Sequence, residues 1–212
     1  MTTANWLIPD WPAPATVHAV FTTRSGGCSN SPWDSLNLGD HVGDVPAHVA
    51  ANRAALQEAI ASRPVFLKQV HGTAVEHLSS TTADGTMADA CISTERGTAC
   101  TVMVADCLPV LLTNLGGTAV AADSSTSELA ATEIIAWLGP CIGPTAFKVG
   151  AEVKAAFEKG QPGATQFFKA TAEGKYLADL AGLARTRLQA LGVSKIYGND
   201  SSAAWCTVGN PS

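Results

Sequence analysis

Charge is scarce in this chain. Only 15% of its 212 residues are Asp, Glu, Lys or Arg, and the balance is acidic, with 18 Asp and Glu against 13 Lys and Arg. A net charge of -5 without a basic stripe excludes a general binder of nucleic acid, because such binding is carried by clustered cations meeting phosphates. Long apolar runs are also missing. None approaches the ~20 residues a membrane-spanning helix needs, and Met1 to Leu7 lacks the basic-then-apolar pattern of a secretory leader. No membrane partner and a cytoplasmic location are therefore expected. The cysteines, at 28, 91, 100, 107, 141 and 206, form no CxxC pair, and no repeat recurs at a fixed period. A chain this long can stabilise itself with a core instead of disulfide staples, so reduced thiols are expected.

What is present is apolar: 46% hydrophobic residues, enough for one sizeable core and one domain over residues 1–212. The run Thr101 to Thr113 is rich in Val and Leu but interrupted by Ala105-Asp-Cys-Leu-Pro109. It reads as strand, and a carboxylate beside a proline is tolerated there only at a strand end or bulge opening onto a cavity. Cys107 would sit at that mouth beside Asp106. His18 to Thr23 reads as a short strand running into the glycine turn Arg24-Ser-Gly-Gly-Cys-Ser29, whose amides could line a polar pocket and whose Arg24 could grip an anion. A surface hairpin with a solvated Arg fits the same residues.

Pro46 opens a helix over 47–61, with Val49, Leu56 and Ile60 on its apolar face. Pro64 to Val75 reads as a strand kinked at Gly72, with His71 at the kink, where a structural imidazole and a reachable one are both consistent with the pattern. A turn leading into a short strand is expected over 84–94, and further strands over 116–122, over 134–138 and over 194–198, with a loop and N-cap from Asp123 leading into a helix over 129–134. Helices are expected over 150–158, with Val153 and Phe157 on one face, and over 176–191, with Arg185 and Arg187 exposed and Gly192 as its stop. Nothing terminates the chain visibly after Trp205.

Cys107 and His71 together support two chemistries, a Cys/His nucleophilic pair or two legs of an open metal site. Their spacing of 36 residues is too long for a local metal motif. Six separated motifs add to this: Phe21-Thr-Thr-Arg-Ser-Gly-Gly27, Ser35-Leu-Asn-Leu-Gly-Asp40, Gln69-Val-His-Gly72, Ala88-Asp-Ala90, Ala105-Asp-Cys-Leu-Pro-Val-Leu111 and Ala136-Trp-Leu-Gly-Pro-Cys-Ile-Gly-Pro144. In that order, from about Trp6 to about Thr207, they resemble the YfiH-type family, known both as multicopper polyphenol oxidase or laccase-domain proteins and as purine nucleoside phosphorylases. The resemblance implies an α/β (α+β) domain of mixed β-sheets flanked by helices, with a catalytic zinc in a pocket.

Two of the family's metal ligands carry over, to His71 and Cys107. The third, a His expected in an Ala-Gly-Trp-Arg-Gly context after the next strand, has no counterpart, because the chain passes from Val120-Ala-Ala122 to Asp123-Ser-Ser125. A closing Phe-Ser-Tyr-Arg-Arg-Asp-like segment is likewise not found by Ser212. The intact protein is expected to carry both segments, since removing a strand-to-helix connection would strip a core helix. His41 is read as structural. The resemblance thus implies a zinc (Zn2+) enzyme cleaving purine nucleosides with phosphate, and a related adenosine deamination. Cys107, His71 and Asp106 are its catalytic candidates, with Arg24, Asn37 and Gln69 binding substrate. Alternatives are a copper (Cu2+) polyphenol oxidase, which five histidines serve poorly; a metal-free Cys/His hydrolase acting on peptidoglycan precursors; and a non-catalytic binding module.

Overall fold

A computed structural model describes residues 6–123 and 133–208. After an extended lead-in, helix α1 (Pro46–Ile60) precedes β1 (Arg63–Phe66), β2 (Val75–His77), β3 (Ala90–Ser93), β4 (Thr98–Thr101), β5 (Val110–Asn114), β6 (Val120–Asp123) and β7 (Ile134–Leu138). Then follow β8 (Lys148–Val149), α2 (Ala151–Gly160), β9 (Phe168–Ala170), β10 (Tyr176–Ala178), α3 (Leu180–Ala190) and β11 (Lys195–Gly198). Six strands form a mixed sheet in the order β11-β7-β5-β6-β3-β2, β1 pairs with β4 alone, and β8, β10 and β9 form a small antiparallel sheet. The expected class, mixed sheets with flanking helices, is the one observed.

Period-two alternation decides what covers the large sheet. Val110, Leu112, Ala121, Ala136 and Leu138 face one way and pack with Ala181 and Ala184 of α3 and with Val193. Leu111, Ala122 and Cys91 belong to the other core, with Val65 of β1 and Cys100 of β4. Each large aliphatic side chain fully buried in these layers contributes about 1.5–3 kcal/mol.

Several expectations are corrected. The run from Thr101 to Thr113 is two strands in different sheets, β4 ending at Thr101 and β5 beginning at Val110, with the Asp-Cys-Leu-Pro segment as the link. The strand expected over 64–75 is also two, because pairing with β4 ends at Phe66 and the chain then passes through a left-handed residue, His71 at φ 59. His18 to Thr23 contributes only a single bridge, Phe21 to Leu7. The final helix starts at Leu180: Tyr176 to Ala178 instead pair with β8 and β9, and Asp179 caps the helix by accepting from the Gly182 amide at 2.9 Å. Arg185 is half-buried, its guanidinium donating to the carbonyls of Ile196, Gly198 and Asn199, where burial of its stem and satisfaction of strand-end carbonyls outweigh solvation. The capped helix expected between Asp123 and Ile134 falls outside the described residues except at its ends, where Asp123 closes β6 and Ile134 opens β7. No helix among the described residues is long and apolar enough to cross a membrane.

Candidate active site

One row of the large sheet organises the motifs. Its hydrogen-bonded partners run Val75, Ala90, Asp123, Val110, Leu138, Gly198 across all six strands. Strands β2, β3 and β5 leave this row, whereas β6, β7 and β11 arrive at it. The segments 71–74, 106–109 and 139–143, together with Asp89 and Asn199, therefore all emerge at the same sheet end. Gly198 can close the row because it sits at φ 77, and an added Cβ would lie 2.2 Å from the Leu138 carbonyl oxygen.

The second sheet brings two of these segments together. Strands β1 and β4 are parallel with Phe66 opposite Thr101, so His71 and Asp106 each lie five residues beyond a paired position. The chains stay joined past the strands. Gln69 Nε2 donates to the Met103 carbonyl at 3.1 Å and the Met103 amide donates to Gln69 Oε1 at 2.8 Å.

Each limb is fixed by polar contacts. Asp89 is completely buried, and its carboxylate accepts the amides of Val70 at 2.8 Å, His71 at 2.6 Å and Gly72 at 2.8 Å. On the other limb Asp106 has φ 72, its carbonyl accepts from the Ile142 amide at 2.8 Å, and its carboxylate accepts from the Thr207 hydroxyl at 2.5 Å. Ile142 and Thr207 follow Cys141 and Cys206, which face each other across a parallel bridge. Two non-glycine residues in left-handed geometry, one on each limb, are the kind of backbone strain that is kept only where neighbours over-determine it.

Among the described residues, neither the His71 ring nor the Cys107 sulfur takes part in a hydrogen bond or ion pair. His71 is exposed and Cys107 half-buried. Burial, and then the Asp106 charge, push the Cys107 thiol above its ordinary value. A metal-free thiolate nucleophile is disfavoured by that environment. Cys141, deeper in, is pushed up to about 12, chiefly by burial. All six cysteines are free.

Arg24 and Asn37 are engaged differently. The Arg24 guanidinium donates to the Asp34 carbonyl at 2.7 Å and meets its carboxylate at 3.3 Å, both side chains being exposed. Asn37 donates to Gly39 and to Asp44 and accepts from the Gly39 amide. The glycine-turn amides are spent internally as well: Gly26 and Gly27 donate to the Ser35 hydroxyl and Cys28 to Asn52. The sheet thus carries the segments bearing Gln69, His71, Asp106 and Cys107 to one end, whereas Arg24 and Asn37 are tied into their own loop. Asp89, the centre of the Ala88-Asp-Ala90 motif, and Thr207 are the residues to which the sequence assigned no role. Asp89 carried a signal, a carboxylate between two alanines at the start of an apolar strand.

Imidazole and thiolate suit zinc or copper, but no group of three or more His, Cys, Asp and Glu among the described residues converges as a metal site. Two donors of the right chemistry fall short of the three that an open zinc site uses.

The mixed sheet presents an imidazole and a thiol at one end, on segments braced by polar contacts. The family model for multi-copper polyphenol oxidoreductase laccases matches residues 18–125 and 122–212, two pieces that meet at the end of β6, and the chain belongs to this family of enzymes. A purine nucleoside phosphorylase of Pseudomonas aeruginosa is 46% identical, over 91% of this chain and 86% of its own length. The purine nucleoside phosphorylase YfiH of Escherichia coli is also 46% identical, over 92% and 86%. Among solved structures, a Neisseria meningitidis protein assigned to family DUF152 superposes with a TM-score of 0.89 at 40% identity, covering 96% of this chain and 89% of that one. YlmD of Geobacillus stearothermophilus gives a TM-score of 0.81 at 25% identity, covering 94% and 87%.

Proposed function

We propose that this chain cleaves purine nucleosides with phosphate at the sheet end where His71 and Cys107 emerge. The observation that carries the location is the single row from Val75 to Gly198, at which the chemically reactive motifs leave the sheet. Relatives named purine nucleoside phosphorylase, matched over most of their length, support the reaction class. In this reaction a phosphate oxygen bonds to C1′ of the ribose. The bond to the purine nitrogen breaks with its electron pair on the base, which leaves as it takes up a proton.

His71 is assigned that proton and Asp106, braced by Thr207, the orientation of the sugar. Gln69 holds the two limbs in register. Arg24 is held in its own loop by the Asp34 carbonyl and carboxylate and is assigned no step. Asn37 shapes the same loop. Zinc is the proposed ion toward which His71 and Cys107 are the available donors, and when bound it would supply Lewis acidity. Since the described residues do not complete its site, no step is routed through it.

The test is incubation of purified protein with inosine or adenosine, with and without phosphate, and separation of products. Phosphate-dependent release of free base and ribose 1-phosphate is expected. Their absence at saturating zinc would end the phosphorylase reading, and inosine formed from adenosine would show deamination in addition. The family description keeps a copper-dependent phenol oxidase as the second reading. It predicts phenol oxidation that follows copper loading.

A further inference from the structure

We infer that Asp89 is the positioning residue of this site, setting where the His71 imidazole points. The inference rests on His71 being a site residue, as proposed above. A wholly buried carboxylate is costly unless its oxygens are satisfied. Asp89 meets that cost by collecting three consecutive amides: Oδ1 accepts those of Val70 and His71, and Oδ2 that of Gly72. Three successive N–H groups can converge on one carboxylate only if the backbone curls around it, and the curl is visible as the left-handed His71 at φ 59. The return path is closed as well, because the Asp89 and Ala90 amides donate to the Ala74 carbonyl at 3.0 and 3.2 Å. Asp89 immediately precedes β3 in the sheet row, so the His71 turn is referenced to the six-stranded sheet. Gly72 belongs to the device: a Cβ there would lie 3.2 Å from Asp89 Oδ2 and press the carboxylate away.

The experiment uses Asp89→Asn, nearly isosteric with the native side chain. An amide can keep one oxygen under two of the amides but must turn its own N–H donors toward the third. With histidine ring carbons labelled, and the His71 signal assigned by its loss in His71→Gln, Asp89→Asn should shift the His71 ring resonances and leave those of His18, His41, His48 and His77 in place. In the nucleoside assay kcat should fall on the order of 10-fold, as for outer partners of site histidines, with KM for inosine and phosphate within about twofold. His71 signals that coincide with the wild type in a folded Asp89→Asn protein overturn the inference. Should that variant fail to fold, Gly72→Ala, which keeps the carboxylate but crowds it, must move the same signals, and unmoved signals there overturn it equally. An inactive wild type whose His71 signals still move sinks the phosphorylase reading alone, whereas an active wild type with unmoved signals sinks the role of Asp89 alone.

Discussion

Two polar loop regions flank the core of this molecule, and they use similar residues to opposite ends. In the region 24–52, Asn52 lies in the buried stripe of α1, and its side chain accepts from the Cys28 amide at 2.9 Å and donates to Ser29, Ser35 and Asn37. Ser29 and Asn37 in turn donate to Asp44. The hydrogen-bonding capacity of these side chains is consumed within the loops. At the sheet end, Asp89 and Gln69 consume backbone groups, Thr207 binds the Asp106 carboxylate, and the His71 ring and the Cys107 sulfur are left unengaged. The difference separates a polar network that holds structure from one that presents reactive groups, although both regions are rich in Gly, Asp and Asn.

The sharpest test of that contrast exchanges the two kinds of residue. His71→Ala or Cys107→Ala is expected to lower kcat/KM by about 100-fold or more while leaving thermal unfolding unmoved, as befits groups that make few contacts. Asn52→Ala should do the reverse. Stranding several buried partners costs about 2–3 kcal/mol, read as a lower denaturant midpoint, with kcat within about twofold. If Asn52→Ala abolishes turnover in a folded protein, the region 24–52 is part of the catalytic apparatus and the contrast fails. Between these extremes lies Thr207→Val, which removes the hydroxyl from Asp106 and keeps the shape. Steady-state kinetics should show a loss of severalfold, on the order of 1 kcal/mol, without a change in unfolding temperature.

The same contrast explains what could be read from the sequence. Strands that are short apolar runs, such as Ile134–Leu138 and Val110–Asn114, were legible, as was α1 from Pro46 and its apolar positions. So was the interruption at Cys107, because Asp-Cys-Leu-Pro does not lie inside a ladder. The division of 64–75 and 101–113 into strands of separate sheets was not, since an apolar run has the same local pattern whichever neighbour it pairs with. Leu177 and Tyr176 were absorbed into a helix because their spacing to Leu180 is helical. The antiparallel pairing with Ala170 and Lys169 that overrides it is tertiary. The partners of His71 were hidden for a similar reason: Asp89 is 18 residues away, and only coordinates show three amides closing on it. Asn52 was visible in principle, a polar residue between Val49 and Leu56 on a buried helix face.

The smallest effect sharpens the comparison through its two cysteines. Cys28, exposed in the first region, and Cys107, half-buried in the second, differ in access, and burial together with the Asp106 charge raises the Cys107 thiol's pKa. Alkylation requires the thiolate. A raised pKa means less thiolate at any pH below it, so Cys107 should react more slowly than an unstructured cysteine near pH 8 and speed up as the pH climbs through the raised value. Asp106→Asn removes the charge but keeps an oxygen for Thr207, which lowers the Cys107 pKa and quickens its alkylation. The gain should be modest because burial, the larger cause, is untouched. Peptide mapping after timed exposure to iodoacetamide reads both sulfurs at once. Cys28 should be modified first and at the same rate in both proteins, and a Cys107 rate that is unchanged or slower in Asp106→Asn would show that the carboxylate does not act on the sulfur.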